Sequence, residues 1–273
     1  MKLWNFQASS KYFTLEGYRK ILVRALDLDY RIVSFRQFEA PTVRPVLLLR
    51  HDLDHCLKGA ELVGQLEADL SVTSTFFVQT TCDLYNLLSR DSRRLILRLA
   101  EQGHEIGLHY EAERYLGSHG RRHLVSDLRL LEDLSGNRIV SASQHIPIDG
   151  DRIALFDYIK NEAYEPRFTE YPMNYISDSL MVWRQATPHD LLDSKASFQF
   201  LSHPETWVSR YRNMGEALSD MLEHEIEVAR TRYAEVTKYY SRLLQERSER
   251  DKNFRRRRNE PAKEIGDGSS GRH

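Results

Sequence analysis

A chain of 273 residues with 41% hydrophobic and 29% charged side chains carries enough apolar material for a sizeable core, and its composition is that of neither a disordered nor a membrane-embedded protein. A formal net charge of -1 gives no global field favouring nucleic acid or a membrane surface, and no run of about 18 apolar residues offers a membrane span. Two cysteines, Cys56 and Cys82, are too few for a disulfide framework, and the N-terminus lacks the unbroken apolar stretch of a signal peptide; the expectation is a cytoplasmic protein.

In chain order, Thr14 is a helix N-cap candidate, followed by Leu15, Tyr18, Ile21, Leu22 and Ala25 at helical spacing. A short β-type run, RIVSF, precedes the apolar segment VLLLR at 46–50, which suits a strand buried on both faces. Leu57, Leu62, Leu66 and Leu70 mark one stripe of the next helix, and TSTFFVQ reads as a strand. SRRLILRLAEQG is a helix closed by Gly103, and HEIGLHY a third strand of the series. A helix ended by Gly136 follows, then the strand RIVSASQHIP, and then FDYIKN, YISDSLMVW and FQFLSHP as short strands and connections. Strand and helix alternate with short links, the pattern of a parallel α/β sheet or barrel, whose chemistry gathers at the C-terminal strand ends.

Beyond Gly215 there is neither proline nor glycine until about Arg250, and apolar residues from Leu218 to Leu243 advance by three or four. This predicts one long amphipathic helix that packs on the chain's own domain or self-associates into a homo-oligomer. The last stretch lacks apolar content and reads as disordered, with RRRR as a solvated helix end. The expected organisation is a β/α domain over 1–214, the helix over 215–252 and a tail over 253–273.

The chemistry concentrates at strand ends. Asp52 and Asp54 are two apart in RHDLDH, so a strand points both carboxylates into one space, where a cation between them relieves their repulsion. The bland alternative is an Asp-rich turn capping the next helix. His104 and His109 are five apart and face opposite ways on a strand; His109, nearer the C-terminal end, is the site candidate and His104 a hydrogen-bonded core residue. Glu111 and Glu113 follow at once as ligands or supporting groups. His145 and His203 each end a β-type run, and each is near a proline. Carboxylate and imidazole together suit zinc and its neighbours. A metal phosphohydrolase reading of the dipeptide at 51 and 52 is disfavoured, because that chemistry sits on helical scaffolds and here an apolar strand precedes it.

The ordered set FTLEGYRKILVRALDLDY, LLLRHDLDH, TSTFFVQ, GHEIGLHYE, QHIP, YISDSLMVW and FLSHPETW resembles the polysaccharide deacetylase family, carbohydrate esterase family four. More closely it resembles a subgroup with an HDxDH first motif associated with surface-polysaccharide biosynthesis. The resemblance covers roughly residues 10 to 210. It implies a distorted (β/α) barrel with fewer than eight repeats, and removal of the N-acyl group of a nucleotide-, lipid- or polymer-linked amino sugar with the help of a divalent metal. It assigns Asp52 as catalytic base, His203 as the acid for the leaving amine, and Asp54 and His109 as metal ligands. Asp178 and Trp183 match the region lining the acyl pocket. The family's second metal histidine lies four residues after the first, where this chain has Glu113. The third ligand is therefore sought among His145, Glu111, Glu113 and His55, with His145 foremost and Glu111 then left to bind substrate. His145 also stands where the family carries the arginine that braces the base. The alternative is a catalytically silent relative serving as a binding or assembly subunit.

Overall fold

The computed structural model describes residues 13–41, 43–55, 57–146, 158–208 and 213–259. Cys56, the start of FDYIKN and the last part of the expected tail lie outside them. The chain divides into two compact units, Met1–Ser219 and Asp220–His273.

The first unit is built on parallel strands: β1 (Arg31–Val33), β2 (Val46–Leu53), β3 (Thr75–Gln79), β4 (Glu105–Tyr110), β5 (Ser141–Gln144), β6 (Asn161–Glu162), β7 (Met173–Ser177) and β8 (Ser197–Ser202). Their order is β6-β5-β4-β3-β2-β8-β7, with β1 also pairing β2. Every pairing is parallel, and among the described residues the end strands β6 and β7 do not pair, so the curled sheet is an incomplete barrel. Helices α1 (Leu15–Asp27), α2 (Lys58–Asp69), α3 (Arg90–Glu101), α4 (Gly120–Ser135), α5 (Pro166–Thr169), α6 (Pro188–Asp193) and α7 (Pro204–Val208) supply the crossovers and connections. The expected distorted (β/α) barrel with fewer than eight repeats is the fold observed.

Strand alternation decides what fills the barrel. Along β2, Leu47, Leu49 and Leu53 join the outer core against the helices, while Val46 and Leu48 belong to a second apolar cluster with Phe35, Phe77 and Phe168. Continuing that inward-facing row by twos gives Arg50, Asp52 and Asp54. The interior is thus an apolar plug at the N-terminal end and a polar chamber at the C-terminal end. Along β4 the corresponding row is Glu105, Gly107 and His109, and the buried Glu105 accepts from Thr75 Oγ1 and Ser141 Oγ. An added Cβ at Gly107 would lie 2.5 Å from the Phe77 ring, so glycine is what lets this ring cross beneath His109.

The caps are where composition put them. Thr14 Oγ1 accepts from Gly17 N at the start of α1, and Gly136 ends α4 in the left-handed region at φ 70°. The buried face of α2 differs from expectation. Its buried residues are Gly59, Ala60, Val63, Gly64 and Glu67, and Leu62 is exposed. Of the leucine stripe, Leu57 is buried and Leu66 and Leu70 pack against the core, so only Leu62 departs from it; close approach of neighbours selects glycine at 59 and 64, and a buried polar cluster selects Glu67.

The second unit consists, as far as it is described, of the 220–259 part of α8 (Met214–Asn259). The helix runs to Asn259 where the expected limit was 252. No helix among the described residues is long and apolar enough to cross a membrane.

Candidate metal and catalytic site

Five of the side chains singled out in the sequence meet at the C-terminal strand ends. Asp52, Asp54, His109, His145 and His203 all line one cavity of about 580 Å³. Its walls include Tyr164, Tyr175, Leu180 and Leu201, with Arg184 and Gln185 also lining it.

Asp54 is the hub. Its Oδ1 lies 2.9 Å from His109 Nε2 and 3.9 Å from His145 Nε2, and its Oδ2 lies 3.4 Å from His203 Nε2. Burial alone would raise the Asp54 pKa, but hydrogen bonds from His109 and His203 outweigh it and hold the carboxyl far below the usual range. His109 Nδ1 donates to the Ser143 carbonyl at 2.8 Å, which fixes the ring and aims Nε2 at the carboxylates. Burial opposes a charge on His109, yet Asp52 and Asp54 push its pKa up. His145 is half-buried, its pKa lowered by burial, and its ring stands edge-on to His109 at 5.2 Å.

Asp54, His109 and His145 each offer one ligand atom, and these atoms lie within 4.8 Å of one another. Three oxygen and nitrogen donors on converging strand ends fit a divalent cation, with His109 already oriented by a backbone carbonyl as ligating histidines commonly are. Beside them Asp52 Oδ1 is buried without a hydrogen-bond partner among the described residues. Of the other third-ligand candidates, Glu113 is exposed, Glu111 lies 3.8 Å from His145 Nδ1, and His55 Nδ1 is bonded to Glu205 at 2.8 Å.

Two further groups hold the reactive side chains. His203 Nδ1 donates to Asp178 Oδ1 at 2.6 Å; Asp178 also accepts from the His203 backbone N–H and from Trp207 Nε1 at 2.7 Å. Burial works against the imidazolium, but Asp178 and Asp54 lift the His203 pKa well above its ordinary value. On the neighbouring strand β2, Asp52 Oδ2 accepts from Arg50 Nη2 at 2.8 Å and from Ser143 Oγ at 3.3 Å. The Arg50 guanidinium, fully buried, also donates to Tyr164 Oη at 2.8 Å and Gln199 Oε1 at 2.9 Å and lies 4.6 Å from the Tyr164 ring centroid.

Three residues expected to contact substrate are not among those lining the cavity. Asp178 is buried behind His203 rather than lining the cavity, because its oxygens are taken up by His203 and Trp207. Trp183 stacks on Phe13 at 5.2 Å and packs against the outer core. Glu111 has an exposed side chain and is not on the cavity wall. Arg50 was missed, although its place two residues before Asp52 put it on the same strand face. His104 sits apart from the site, as expected: its Nε2 donates to the Gly64 carbonyl at 3.1 Å.

No protein-family model matches the chain, and no curated protein matches it. Among solved structures it is similar to a family 4 carbohydrate esterase from Bacillus anthracis, at 16% identity over 76% of this chain and 86% of that one, with a TM-score of 0.43. It is also similar to a pseudoenzyme of the same family from Bacillus anthracis, at 13% identity over 72% and 65% with a TM-score of 0.41. A third likeness is to the peptidoglycan deacetylase PdaC from Bacillus subtilis, at 13% identity over 70% and 98% with a TM-score of 0.38. Likenesses this distant assign no chemistry to the chain.

Proposed function

We propose that the chain is a metal-dependent deacylase of the polysaccharide deacetylase type, hydrolysing the N-acyl group of an amino sugar. The observation that carries this reading is the meeting of Asp52, Asp54, His109, His145 and His203 around one cavity, with Asp52 and His203 each braced from behind by a buried group of opposite charge.

A divalent cation held by Asp54, His109 and His145, zinc by donor chemistry, supplies Lewis-acid polarisation of an acyl carbonyl and a water of lowered pKa. The chain's own groups do the proton work. Asp52 has one oxygen engaged by Arg50 and Ser143 and the other free, so the free Oδ1 is the acceptor for the proton of an attacking water. His203, with Nδ1–H held by Asp178, presents Nε2 as the donor to the departing nitrogen. Base and acid assistance of this kind each contribute about 10²–10⁴-fold. Tyr164, Tyr175 and Leu180 give the cavity apolar surface against which a sugar ring and an acyl methyl can rest. A substrate linked to a nucleotide, lipid or polymer, in surface-polysaccharide biosynthesis, follows from the sequence resemblance alone.

The test is acetate release from N-acetylated sugars, both free oligosaccharides and nucleotide-linked monosaccharides, by protein repleted with zinc, cobalt or manganese. Release is expected with at least one substrate, and Asp52→Asn should abolish it with metal content unchanged. Near-normal turnover by Asp52→Asn would remove the assigned base. Less than a tenth of an equivalent of metal after repletion would instead favour the silent binding subunit.

A further inference from the structure

The second unit carries a feature that the catalytic reading does not use. Along α8, Ile226, Tyr233 and Tyr240 fall seven residues apart, and Leu222, Ala229, Val236 and Leu243 form the companion row, the a and d positions of three heptads. The whole row is exposed: Leu222 at 60%, Tyr233 at 75%, Val236 at 51% and Tyr240 at 60%. The next a and d positions are Arg247 and Arg250, so the apolar seam has a defined end.

Charge decides what fits this seam. In a parallel, in-register pair of such helices, each g residue faces the e residue five positions further along its partner. Glu225 then faces Arg230 of the second copy, and symmetry supplies the contact twice. In an antiparallel pair, residue 226 lies opposite 243 and the g rows face each other, which brings Glu225 against Glu246. On its own helix, among the described residues, Arg230 pairs with Glu227 at 3.8 Å, an exposed contact that leaves the guanidinium open to a stronger partner. Tyrosines at the a positions keep their hydroxyls at the seam's margin, in reach of water.

We infer that residues 222–243 form a parallel, in-register, two-stranded coiled coil with a second copy of this chain. The inference rests on the helix alone and stands or falls separately from the deacylase reading.

The experiment is sedimentation velocity of the full chain at micromolar concentration. The wild type should sediment as a dimer, at twice the 32.0 kDa chain mass. Val236→Lys should give a monomer with unchanged near-ultraviolet circular dichroism from the β/α unit. Glu225→Arg should weaken dimerisation at least tenfold, and Arg230→Glu added to it should restore it. Ile226→Cys should form an interchain disulfide on oxidation, with wild type as the control for the native cysteines. A monomeric wild type overturns the inference; amide exchange protection at 222–243 in that monomer would then show the seam covered by the chain's own first unit. A dimer indifferent to Val236→Lys overturns it as well. A dimer in which Ile226→Cys does not cross-link, or in which the charge swap does not rescue, refutes the parallel register.

Discussion

Arg50 is a full positive charge with no exposure to water, and such a charge is retained only where partners repay its desolvation. Its planar fork does this by binding Asp52, Tyr164 and Gln199 together, and Gln199 is itself pinned by donating to the Ala163 and Phe168 carbonyls at 3.0 and 3.2 Å. The Asp52 carboxylate therefore inherits its direction from the barrel interior. Lysine keeps the charge but cannot make these contacts at once. Arg50→Lys is expected to lower kcat by about 10²-fold, the scale of a misplacement near 1 Å, with KM and metal content little changed. A kcat within twofold of wild type would show that Asp52 needs no such brace. The shared direction of Asp52 and Asp54 was legible in the sequence, because alternation by twos follows from backbone geometry once the strand is recognised; Arg50 lies on the same row and was not read from it. The place of Asp178 was not legible. Its partner His203 is 25 residues away across the β7–β8 crossover, and no local pattern distinguishes a carboxylate lining a cavity from one standing behind a histidine.

At the scale of elements, α2 holds the first loop of the site against the loop that carries His203. The two meet at Gly59, where an added Cβ would lie 2.8 Å from the Pro204 carbonyl carbon and 2.9 Å from Glu205 N. In an isolated helix, alanine for glycine gains up to about 1 kcal/mol. Here the clash is with backbone, which cannot rotate away, and overpacking typically costs about 1–3 kcal/mol. The second effect wins. Gly59→Ala is expected to lower Tm by several degrees and to cut activity, since relief of the clash moves His203 away from Asp54. An equal or raised Tm would mean that the two elements slide apart freely. The existence and order of the strands and longer helices could be read from periodicity and caps. The full buried face of α2 could not, because beside Ala60 and Val63 it is made of Gly59, Gly64 and Glu67, which carry no hydrophobic signal.

The whole molecule carries a second buried polar cluster, behind β2 and away from the cavity. His51 points outward from the strand to Glu67 at 2.8 Å, Ser74 Oγ donates to Glu67 Oε2 at 2.6 Å, Tyr18 donates to Glu67, and His104 Nδ1 lies 3.5 Å from the same carboxylate. Burial raises the Glu67 pKa, but His51, His104 and Ser74 reverse this and hold it below the ordinary value. His104 goes down as well, with burial the dominant cause and Glu67 only a partial offset. Both shifts have the same consequence for stability. A depressed pKa means that the unfolded chain takes up a proton that the fold refuses, so stability is complete above the unfolded value and declines as pH falls below it. For His104 that decline begins near pH 6.5, and for Glu67 near 4.5. Replacing His104 by glutamine removes the first part. The gap in unfolding free energy between wild type and His104→Gln should therefore narrow on going from pH 7.5 to pH 5, by up to about 1.4 kcal/mol for each pH unit below 6.5 until the folded pKa is reached. Urea titrations of both proteins at several pH values measure it. A gap that stays constant would mean that His104 binds its proton equally well in the folded and unfolded chain, and that burial in this cluster costs the imidazolium nothing.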